Sequence, residues 1–379
     1  LVSFFIFDLI ESKEVESMRV KQQLIGLPPY KPGKPIEEVK KELGLTTVVK
    51  LASNENPFGS SPKVAEAIRA IATETAIYPD GYAAALREKV AKKLGVEENQ
   101  LVFGNGSDEV IQFLCRAFLT KDANTVTAHP TFSQYKLNAT IEGAEVREVE
   151  SKDGVHDLDA MLEAIDDKTR IVWVCNPNNP SGTYVNEDAF VRFMERVPSD
   201  VLVVSDEAYY EYVTADDYPE TIPLLKRFKN FVVLRTFSKA YGLAAVRSGC
   251  GVIHPDLASL IDPVRPPFNN NTFAHAAAIA ALEDDDFIKT CVEKNNLARK
   301  QFEQFCKKHD LFYYPTETNF ILIDFERPGD EVFNFLLKEG FIVRSGEALG
   351  YPTCVRITFG SKEDNERLFV AIEKMLQQR

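Results

Sequence analysis

Apolar residues recur along much of the chain either at helical spacing or in short uninterrupted runs. Between residues 61 and 119 they return every three or four positions, which places them on one face of a helix. We therefore expect this stretch to consist of helices joined by turns. The predicted apolar faces are Val64, Ile68 and Ile71; Leu86, Val90 and Leu94; and Val110, Leu114 and Phe118.

Three later segments are apolar at every position: residues 171–175, 201–204 and 231–234. A run of this length with no polar face is typical of a strand buried on both sides in a parallel sheet. A helical pattern over residues 158–165 precedes the first run. This alternation predicts an α/β domain with a mostly parallel central sheet flanked by helices, and a ligand site at the carboxyl ends of its strands.

After about Arg265 the pattern changes. A helix-rich stretch, residues 273–308, precedes two further apolar runs at 320–323 and 355–358, which predicts a smaller α+β domain. The predicted organisation is an N-terminal extension over residues 1–17, an arm that forms part of the small domain over 18–47, a large domain over 48–265, and a small C-terminal domain over 266–379.

The first 17 residues differ from the rest of the chain. Their apolar start is too short to span a bilayer and no basic segment precedes it, so neither a membrane anchor nor a signal peptide is expected. An ordinary protein N-terminus begins at Met18. We interpret residues 1–17 as an extension that is not native, and we expect a cytoplasmic protein.

Charge and histidine spacing exclude two classes of function. The formal net charge of −13 argues against a nucleic-acid partner, because phosphate backbones are bound by basic surfaces. The five histidines show no HxxxH or HExxH spacing, so no metal site is expected. An acidic protein can still contain a locally basic pocket for a small anionic substrate.

Polar residues follow each of the predicted buried strands. Residues 176–182 follow the first strand, Asp206 lies after the second, and Lys239 lies after the third. A lone aspartate there is more often a helix cap, and a lone lysine is more often solvated. Two such groups at the ends of neighbouring strands instead fit pyridoxal 5′-phosphate (PLP), which needs a lysine for its aldehyde and an acidic partner for its ring nitrogen.

A glycine-containing loop, residues 104–108, precedes the third predicted helix. Backbone N–H groups at such a helix start can bind an anion. Glu109 stands where a dinucleotide-binding loop would have its third glycine. The loop by itself is equally compatible with an anion site and with a plain helix cap at Ser107.

Three motifs together resemble the class I/II, fold type I aminotransferases. Residues 236–247 are similar to the PLP-lysine motif of that family, residues 179–182 to its NP[TS]G motif, and residues 206–209 to its D-x-x-Y motif. Within the superfamily, the chain most resembles the histidinol-phosphate aminotransferases. Further segments carry that likeness: 30–34, 53–57, 78–81, 106–109, 130–132, 265–269, 317–320 and 355–358.

This resemblance implies a set of roles around PLP. Lys239 would bind the cofactor as a Schiff base and move a proton, while Asp206 would pair with the pyridine nitrogen. Asn179 and Tyr209 would bond the phenolic oxygen, and Phe132, often Tyr in the family, would stack on the ring. The implied phosphate ligands are Gly106, Ser107, Asp108, Thr236, Ser238 and Arg247, with Tyr78 reaching the phosphate from the other subunit of a homodimer.

The resemblance also implies a substrate pocket and a reaction. Arg356 would bind the carboxylate of L-glutamate and, with Arg344, the phosphate of imidazole-acetol phosphate. Tyr30, Asn54 and Phe268 would line the same pocket, and Asn319 is a weaker candidate. The implied products are L-histidinol phosphate and 2-oxoglutarate. An aromatic or broad-range aminotransferase and a PLP-dependent phospho-amino-acid decarboxylase remain alternatives. A non-catalytic PLP-binding regulator is disfavoured, because residues 1–50 are too short to supply a DNA-binding module.

Overall fold

The computed structural model describes residues 20–29 and 33–378. Its strands are β1 (Val49–Lys50), β2 (Leu101–Gly104), β3 (Asn124–His129), β4 (Glu145–Glu150), β5 (Thr169–Cys175), β6 (Leu202–Asp206), β7 (Phe231–Thr236), β8 (Gly249–Ile253), β9 (Phe320–Asp324), β10 (Phe341–Ile342), β11 (Arg344–Ser345) and β12 (Cys354–Thr358).

The α-helices surround these strands. They are α1 (Ile36–Leu43), α2 (Pro62–Ala70), α3 (Ala84–Leu94), α4 (Ser107–Phe118), α5 (Gln134–Glu142), α6 (Leu158–Glu163), α7 (Glu187–Arg196), α8 (Thr221–Leu224), α9 (Pro255–Ile261), α10 (Thr272–Leu282), α11 (Asp285–Lys308), α12 (Gly329–Lys338) and α13 (Lys362–Leu376). None of the helices in the described part of the chain is long and apolar enough to cross a membrane.

The central sheet has seven strands in the order β2-β8-β7-β6-β5-β3-β4. The five strands from β7 to β4 are parallel, and β8 runs antiparallel to both β7 and β2. The three predicted buried runs lie in β5, β6 and β7, and apolar clusters cover both faces of the sheet. The predicted α/β fold with a mostly parallel sheet is confirmed.

The stretch between residues 61 and 119 differs from its prediction in one element. Helices α2, α3 and α4 contain the three predicted apolar faces except Ile71, which directly follows α2, but strand β2 lies between α3 and α4. This strand is buried at every position and pairs with β8, Leu101 opposite Val252. The prediction of helices alone was therefore wrong here, because a four-residue apolar run acquires its strand character from a partner about 150 residues away.

A second core lies in the C-terminal part. Strands β11, β12 and β9 form an antiparallel sheet, and α11 and α13 pack on it through residues such as Phe302 and Ile372. Strand β1 pairs with β10, which brings Leu51 into this core. Helix α10 packs instead with the core of the large sheet through Ala277 and Ala278.

The N-terminal segments reach both cores. In residues 20–29, Gln23 donates a hydrogen bond from Nε2 to the carbonyl of Ile141 on α5, at 2.9 Å. In α1, Val39 is fully buried against Ile342 of β10. The predicted extension over residues 1–17 and the predicted site residue Tyr30 lie outside the described residues.

Candidate active site

A cavity of about 470 Å³ opens where β5, β6 and β7 end and α4 begins. Most of the predicted site residues line it, although they come from distant parts of the chain. These are Asn54, Gly106, Ser107, Asp108, Phe132, Asn179, Asp206, Tyr209, Thr236, Ser238, Lys239, Arg247 and Arg356. Among the described candidates, Tyr78, Phe268, Asn319 and Arg344 do not line the cavity of this chain.

Strand register explains why the polar groups converge. Cys175, the last residue of β5, lies beside Asp206, the last residue of β6, and Asp206 lies beside Leu234 of β7. Lys239 follows the end of β7 by three residues. Because parallel strands end at the same edge of a sheet, side chains that follow β5, β6 and β7 must face a common crevice.

One end of the cavity is suited to an anion. Helix α4 starts after Gly106, which has a φ of +78° and provides no side-chain cap, and Ser107 is the first helical residue. The side chain of Ser107 therefore does not cap the helix. Of the two interpretations of this loop, the plain helix cap at Ser107 is not what the structure has. A Cβ on Gly106 would lie 2.7 Å from Nη2 of Arg247, so glycine allows the guanidinium to approach the helix start. The free N–H groups and Arg247 together favour a phosphate.

Asp206, the last residue of β6, also lines the cavity and is 3% exposed. Its Oδ2 accepts a hydrogen bond from the hydroxyl of Tyr135 at 2.7 Å, and its Oδ1 accepts one from the N–H of Ala208 at 3.3 Å. Burial raises the pKa of Asp206 to about 6, although the Tyr135 bond opposes this rise. A protonated ring nitrogen beside this carboxylate would stabilise its charged form.

Lys239 is the amine of the cavity. Burial, followed by the positive charge of Arg356, lowers the pKa of Lys239 to about 8. Its Nζ donates to the carbonyl of Ser53 at 3.4 Å and lies 5.7 Å from the centre of the Tyr209 ring. A lysine with this pKa has a useful fraction of neutral amine near neutral pH, and the neutral amine is the form that attacks an aldehyde.

A buried hydrogen-bond network holds the hydroxyl of Tyr209. Nδ2 of Asn54 donates to this hydroxyl oxygen at 2.9 Å, and Oγ1 of Thr358 donates to Oδ1 of Asn54 at 3.0 Å. Nδ2 of Asn319 donates to the carbonyl of Asn54, also at 3.0 Å. Asn54 thus lines the cavity, and both Nδ2 and Oδ1 of its side-chain amide already have hydrogen-bond partners. Asn319 does not line the cavity but supports the backbone of Asn54 from behind it.

Two arginines lie side by side on the antiparallel sheet. Arg344 of β11 is directly opposite Arg356 of β12, so their side chains project from the same face. Arg356 is buried and donates to Oδ1 of Asn179 at 2.5 Å and to the carbonyl of Ala52 at 2.7 Å. Like charges at directly opposed positions disfavour the pairing of two strands unless other groups compensate for them.

Tyr78 and Phe268 form a separate aromatic surface. Their rings stack with centroids 4.8 Å apart, and Tyr78 is 79% exposed. Ile77 is 78% and Tyr82 is 65% exposed beside it in the chain. Apolar surface of this kind is typical of a protein–protein interface.

The sequence did not single out Tyr135, which contacts Asp206 directly. Its hydroxyl bonds the carboxylate, and its ring is stacked on Trp173 with centroids 4.8 Å apart. The only sequence signal was its position three residues after Phe132, which a core aromatic residue could equally occupy. Tyr135 itself does not line the cavity; the lining residues that were not predicted are Ala52, Ser53, Glu55, Gln112, Gln134, Cys175, Ala208 and Ala244.

The chemistry of the lining residues fits PLP. Arg247 and the start of α4 suit its phosphate, Lys239 its aldehyde, Asp206 its ring nitrogen and Phe132 its aromatic face. The buried carboxylate with a raised pKa is the observation that fits best, because a cationic pyridine would relieve the cost of its burial. Over residues 20–29 and 33–378 no group of three His, Cys, Asp or Glu side chains could hold a metal ion.

Comparison with known proteins gives close relatives over nearly the whole chain. A histidinol-phosphate aminotransferase of Halalkalibacterium halodurans is 65% identical over 95% of this chain and 97% of its own length. The enzyme of the same name from Bacillus subtilis is 59% identical over 95% of this chain and 100% of its own.

Solved structures show the same fold. The histidinol-phosphate aminotransferase of Sinorhizobium meliloti in complex with pyridoxal-5′-phosphate aligns with a TM-score of 0.87 at 28% identity, covering 95% of this chain and 98% of that one. The aspartate aminotransferase of Thermotoga maritima shares the fold at 22% identity, with a TM-score of 0.82 over 94% of this chain and 100% of that one.

The model of one sequence family, described as aminotransferase class I and II, matches residues 46–372. This match includes all three motifs that follow the central strands and both arginines of the C-terminal sheet. Together with the identity to relatives over nearly their full length, this match identifies the family of the chain independently of the cavity geometry. The chain belongs to the class I and II aminotransferase family.

Proposed function

We propose that this chain is a PLP-dependent histidinol-phosphate aminotransferase of histidine biosynthesis. In the direction of synthesis, L-glutamate gives up its amino group and leaves as 2-oxoglutarate, and imidazole-acetol phosphate accepts it to become L-histidinol phosphate. The observation that carries this choice is the 65% identity, over 95% of the chain, to an enzyme of that name. The cavity supports the reaction type through its lysine, carboxylate and arginine.

Lys239 and Asp206 are the groups closest to the chemistry in this proposal. Bound PLP supplies an electron sink for the bond broken at the substrate α-carbon. Lys239 would hold the cofactor through its aldehyde and, as a free amine, would move a proton at the substrate α-carbon. Its pKa of about 8 suits a group that must alternately hold and release a proton near neutral pH. Asp206 keeps a proton on the ring nitrogen.

Other residues orient the cofactor. Asn179 and Tyr209 would donate hydrogen bonds to its phenolic oxygen, and Phe132 would stack on one face of the ring. The contact between Arg356 and Asn179 supports this role, since it links the substrate arginine to the amide beside the ring. The proposed phosphate ligands are Gly106, Ser107, Asp108, Thr236, Ser238 and Arg247.

The substrate is held from the C-terminal sheet. We propose that Arg356 binds the carboxylate of glutamate and that Arg344 and Arg356 bind the phosphate of the second substrate. Asn54 and Tyr30 complete the pocket from the same chain, and Phe268, which does not line the cavity of its own chain, would do so from the second chain of the dimer proposed below. In this proposal the large domain, residues 48–265, holds the cofactor, and the small domain, residues 266–379 with part of 18–47, supplies both arginines.

We further propose a cytoplasmic homodimer with shared active sites. Tyr78 and Phe268 are stacked on each other at the surface and do not line the cavity of their own chain. A second copy that covers this aromatic surface would bring Tyr78 to the phosphate of the neighbouring site. The exposed Ile77 and Tyr82 would be buried by the same contact.

Spectroscopy with separate substrates tests the proposed function. Purified holoenzyme mixed with L-glutamate alone should show conversion of the bound cofactor to its amine form with release of 2-oxoglutarate. Imidazole-acetol phosphate added next should restore the original spectrum and yield L-histidinol phosphate. Steady-state kinetics should follow a ping-pong pattern.

Matched variants and competing substrates complete this test. Lys239→Ala should abolish turnover, whereas Arg344→Gln should raise KM for the phosphorylated acceptor more than for glutamate. Faster use of phenylpyruvate would identify an aromatic aminotransferase instead. Loss of carbon dioxide from O-phosphothreonine without amino transfer would identify a decarboxylase.

A further inference from the structure

Tyr135 and Asp206 form a buried tyrosine–carboxylate pair beneath the cavity. The tyrosine is 0% exposed, and its hydroxyl donates to Oδ2 of Asp206 at 2.7 Å. Tyr135 does not line the cavity, whereas Asp206 does. The hydroxyl therefore approaches the carboxylate from the protein side and leaves the cavity side of Asp206 to a ligand.

The ring of Tyr135 has little freedom to move this hydroxyl. It lies nearly parallel to the indole of Trp173, with an interplanar angle of 9°, and meets Phe132 edge-on at 5.5 Å. The indole is held in turn, because Nε1 of Trp173 donates to Oγ1 of Thr125 at 2.9 Å. Packing thus fixes the position of the donor relative to the end of β6.

The charges near Asp206 make such a donor useful. Burial and the neighbouring carboxylates Asp108 and Glu207 all favour the protonated acid. The bond from Tyr135 opposes them, and within residues 20–29 and 33–378 the other carboxylate oxygen accepts one long hydrogen bond, from the N–H of Ala208 at 3.3 Å. A hydrogen bond to a carboxylate stabilises its ionised form.

We propose that Tyr135 is a positioning residue that acts through Asp206. Its hydroxyl holds Oδ2, keeps the carboxylate ionised, and aims Oδ1 at the ring nitrogen of the cofactor. This inference rests on the proposed placement of Asp206 at that nitrogen. Without the hydroxyl, Asp206 is a stronger base and takes a larger share of the proton that it shares with the ring.

Tyr135→Phe tests the inference, because it removes one oxygen and keeps the stacked ring. Holoenzymes are prepared with PLP labelled with ¹⁵N at the ring nitrogen. The ¹⁵N chemical shift of the variant should move from the protonated toward the neutral value. The first half-reaction with L-glutamate should slow roughly tenfold in kcat/KM, since a hydrogen bond to a charged group is of that order, with KM changed less than kcat.

Tyr184→Phe is the matched control. It also removes a tyrosine–aspartate hydrogen bond, from the Tyr184 hydroxyl to Asp217 at 2.6 Å, but at a distance from the cavity. This control should keep the native ¹⁵N shift. An unchanged shift in Tyr135→Phe, with a protonated nitrogen in the native enzyme, would overturn the role of Tyr135 alone. A neutral nitrogen in the native enzyme would overturn the placement of Asp206 and this inference together.

Trp173→Phe provides a second variant if Tyr135→Phe does not fold. It retains the Tyr135 hydroxyl but removes the bond from the indole to Thr125 and part of the stacked surface. The ¹⁵N shift should move in the same direction by a smaller amount. A shift identical to that of the native enzyme would count against the inference.

Discussion

Lys239 and Arg356 are two cations that share one cavity, and the charge of the arginine affects the protonation of the lysine. The positive charge of Arg356 disfavours the protonated lysine, in addition to the larger effect of burial, so the pKa of Lys239 falls to about 8. The arginine thus has two effects: it offers a site for an anion and it activates the amine.

The pH dependence of cofactor uptake tests this coupling. In protein freed of cofactor, the rate of PLP attachment to Lys239 should rise as pH increases through about 8, because only the neutral amine reacts. Arg356→Gln should move this midpoint to higher pH, while Arg356→Lys, which keeps the charge, should hold it close to the native value. Borohydride trapping followed by mass spectrometry measures the rate. A midpoint in Arg356→Gln at or below the native one would contradict the coupling.

Thr358 shows how a residue outside the cavity acts on one inside it. Its hydroxyl donates to Oδ1 of Asn54 and accepts from the N–H of Asn54, both at 3.0 Å. Asn54 has a φ of +55°, so these contacts also hold a backbone conformation that is uncommon for residues other than glycine.

Thr358→Val should therefore destabilise the protein and disturb Tyr209. The change leaves the buried Oδ1 of Asn54 without its donor, which costs about 1–3 kcal/mol of unfolding free energy. Urea denaturation of the cofactor-free protein measures this loss, and the visible spectrum of the holoenzyme reports on the phenolic oxygen. Thr358→Ser retains the hydroxyl and should behave like the native protein in the spectrum. Equal effects of Ser and Val would show that packing, not the hydrogen bond, is responsible.

At the scale of elements, the loop after β5 is shaped by a contact with the segment before β9. Gly182 has a φ of +82°, and a Cβ there would lie 2.2 Å from Oγ1 and 2.7 Å from Cβ of Thr316. The N–H of Glu317 also donates to the carbonyl of Gly182 at 2.9 Å. This close approach holds the loop that carries Asn179 against the C-terminal core.

Gly182→Ala should destabilise the protein far more than a comparable change in open space. The added methyl must displace Thr316 in addition to adopting a positive φ, so we expect a loss on the order of 3 kcal/mol. Gly95→Ala is the control, because Gly95 has a φ of +68° and, apart from its chain neighbours, no atom of the described residues lies within 4 Å of the position that its added methyl would occupy. That change should cost only about 1 kcal/mol. Chemical denaturation of both variants measures the difference, and equal losses would refute the steric argument.

At the scale of the whole molecule, the proposed homodimer accounts for two predicted site residues, Tyr78 and Phe268, that do not line the cavity of a single chain. Tyr78 and Phe268 lie on an exposed aromatic surface, while the proposed phosphate site lies in the cavity at the start of α4. A closed dimer with twofold symmetry would place the same surface of each chain against the other.

Mixed dimers test whether Tyr78 acts in the neighbouring site. Lys239→Ala and Tyr78→Phe chains should each have low activity alone, the first through loss of its amine and the second through a weakened phosphate site. Dimers formed by co-expression should regain up to about half of the native activity, because one of their two sites is then intact. Analytical ultracentrifugation measures whether the chains form dimers. Activity equal to the average of the two parents would contradict sharing.

Much of the fold was predictable from periodicity alone. Apolar runs without a polar face identified β5, β6 and β7 because a strand buried on both sides cannot contain solvated positions. The motifs after those strands identified Asn179, Asp206 and Lys239 as neighbours, because parallel strands end at one edge. These inferences need only local pattern and a general property of sheets.

Tertiary structure decided the contacts between segments that are distant in sequence. Strand β2 depends on pairing with β8, and the bonds from Tyr135 to Asp206 and from Thr358 to Asn54 join elements 71 and 304 residues apart. No local pattern distinguishes Tyr135 from an ordinary core aromatic residue, because burial gives both the same apolar spacing. The sequence by itself determined the reactive groups and the sheet edge at which they meet. Only the folded chain decided which neighbours orient those groups and shift their pKa values, because hydrogen bonds and desolvation depend on distances in space.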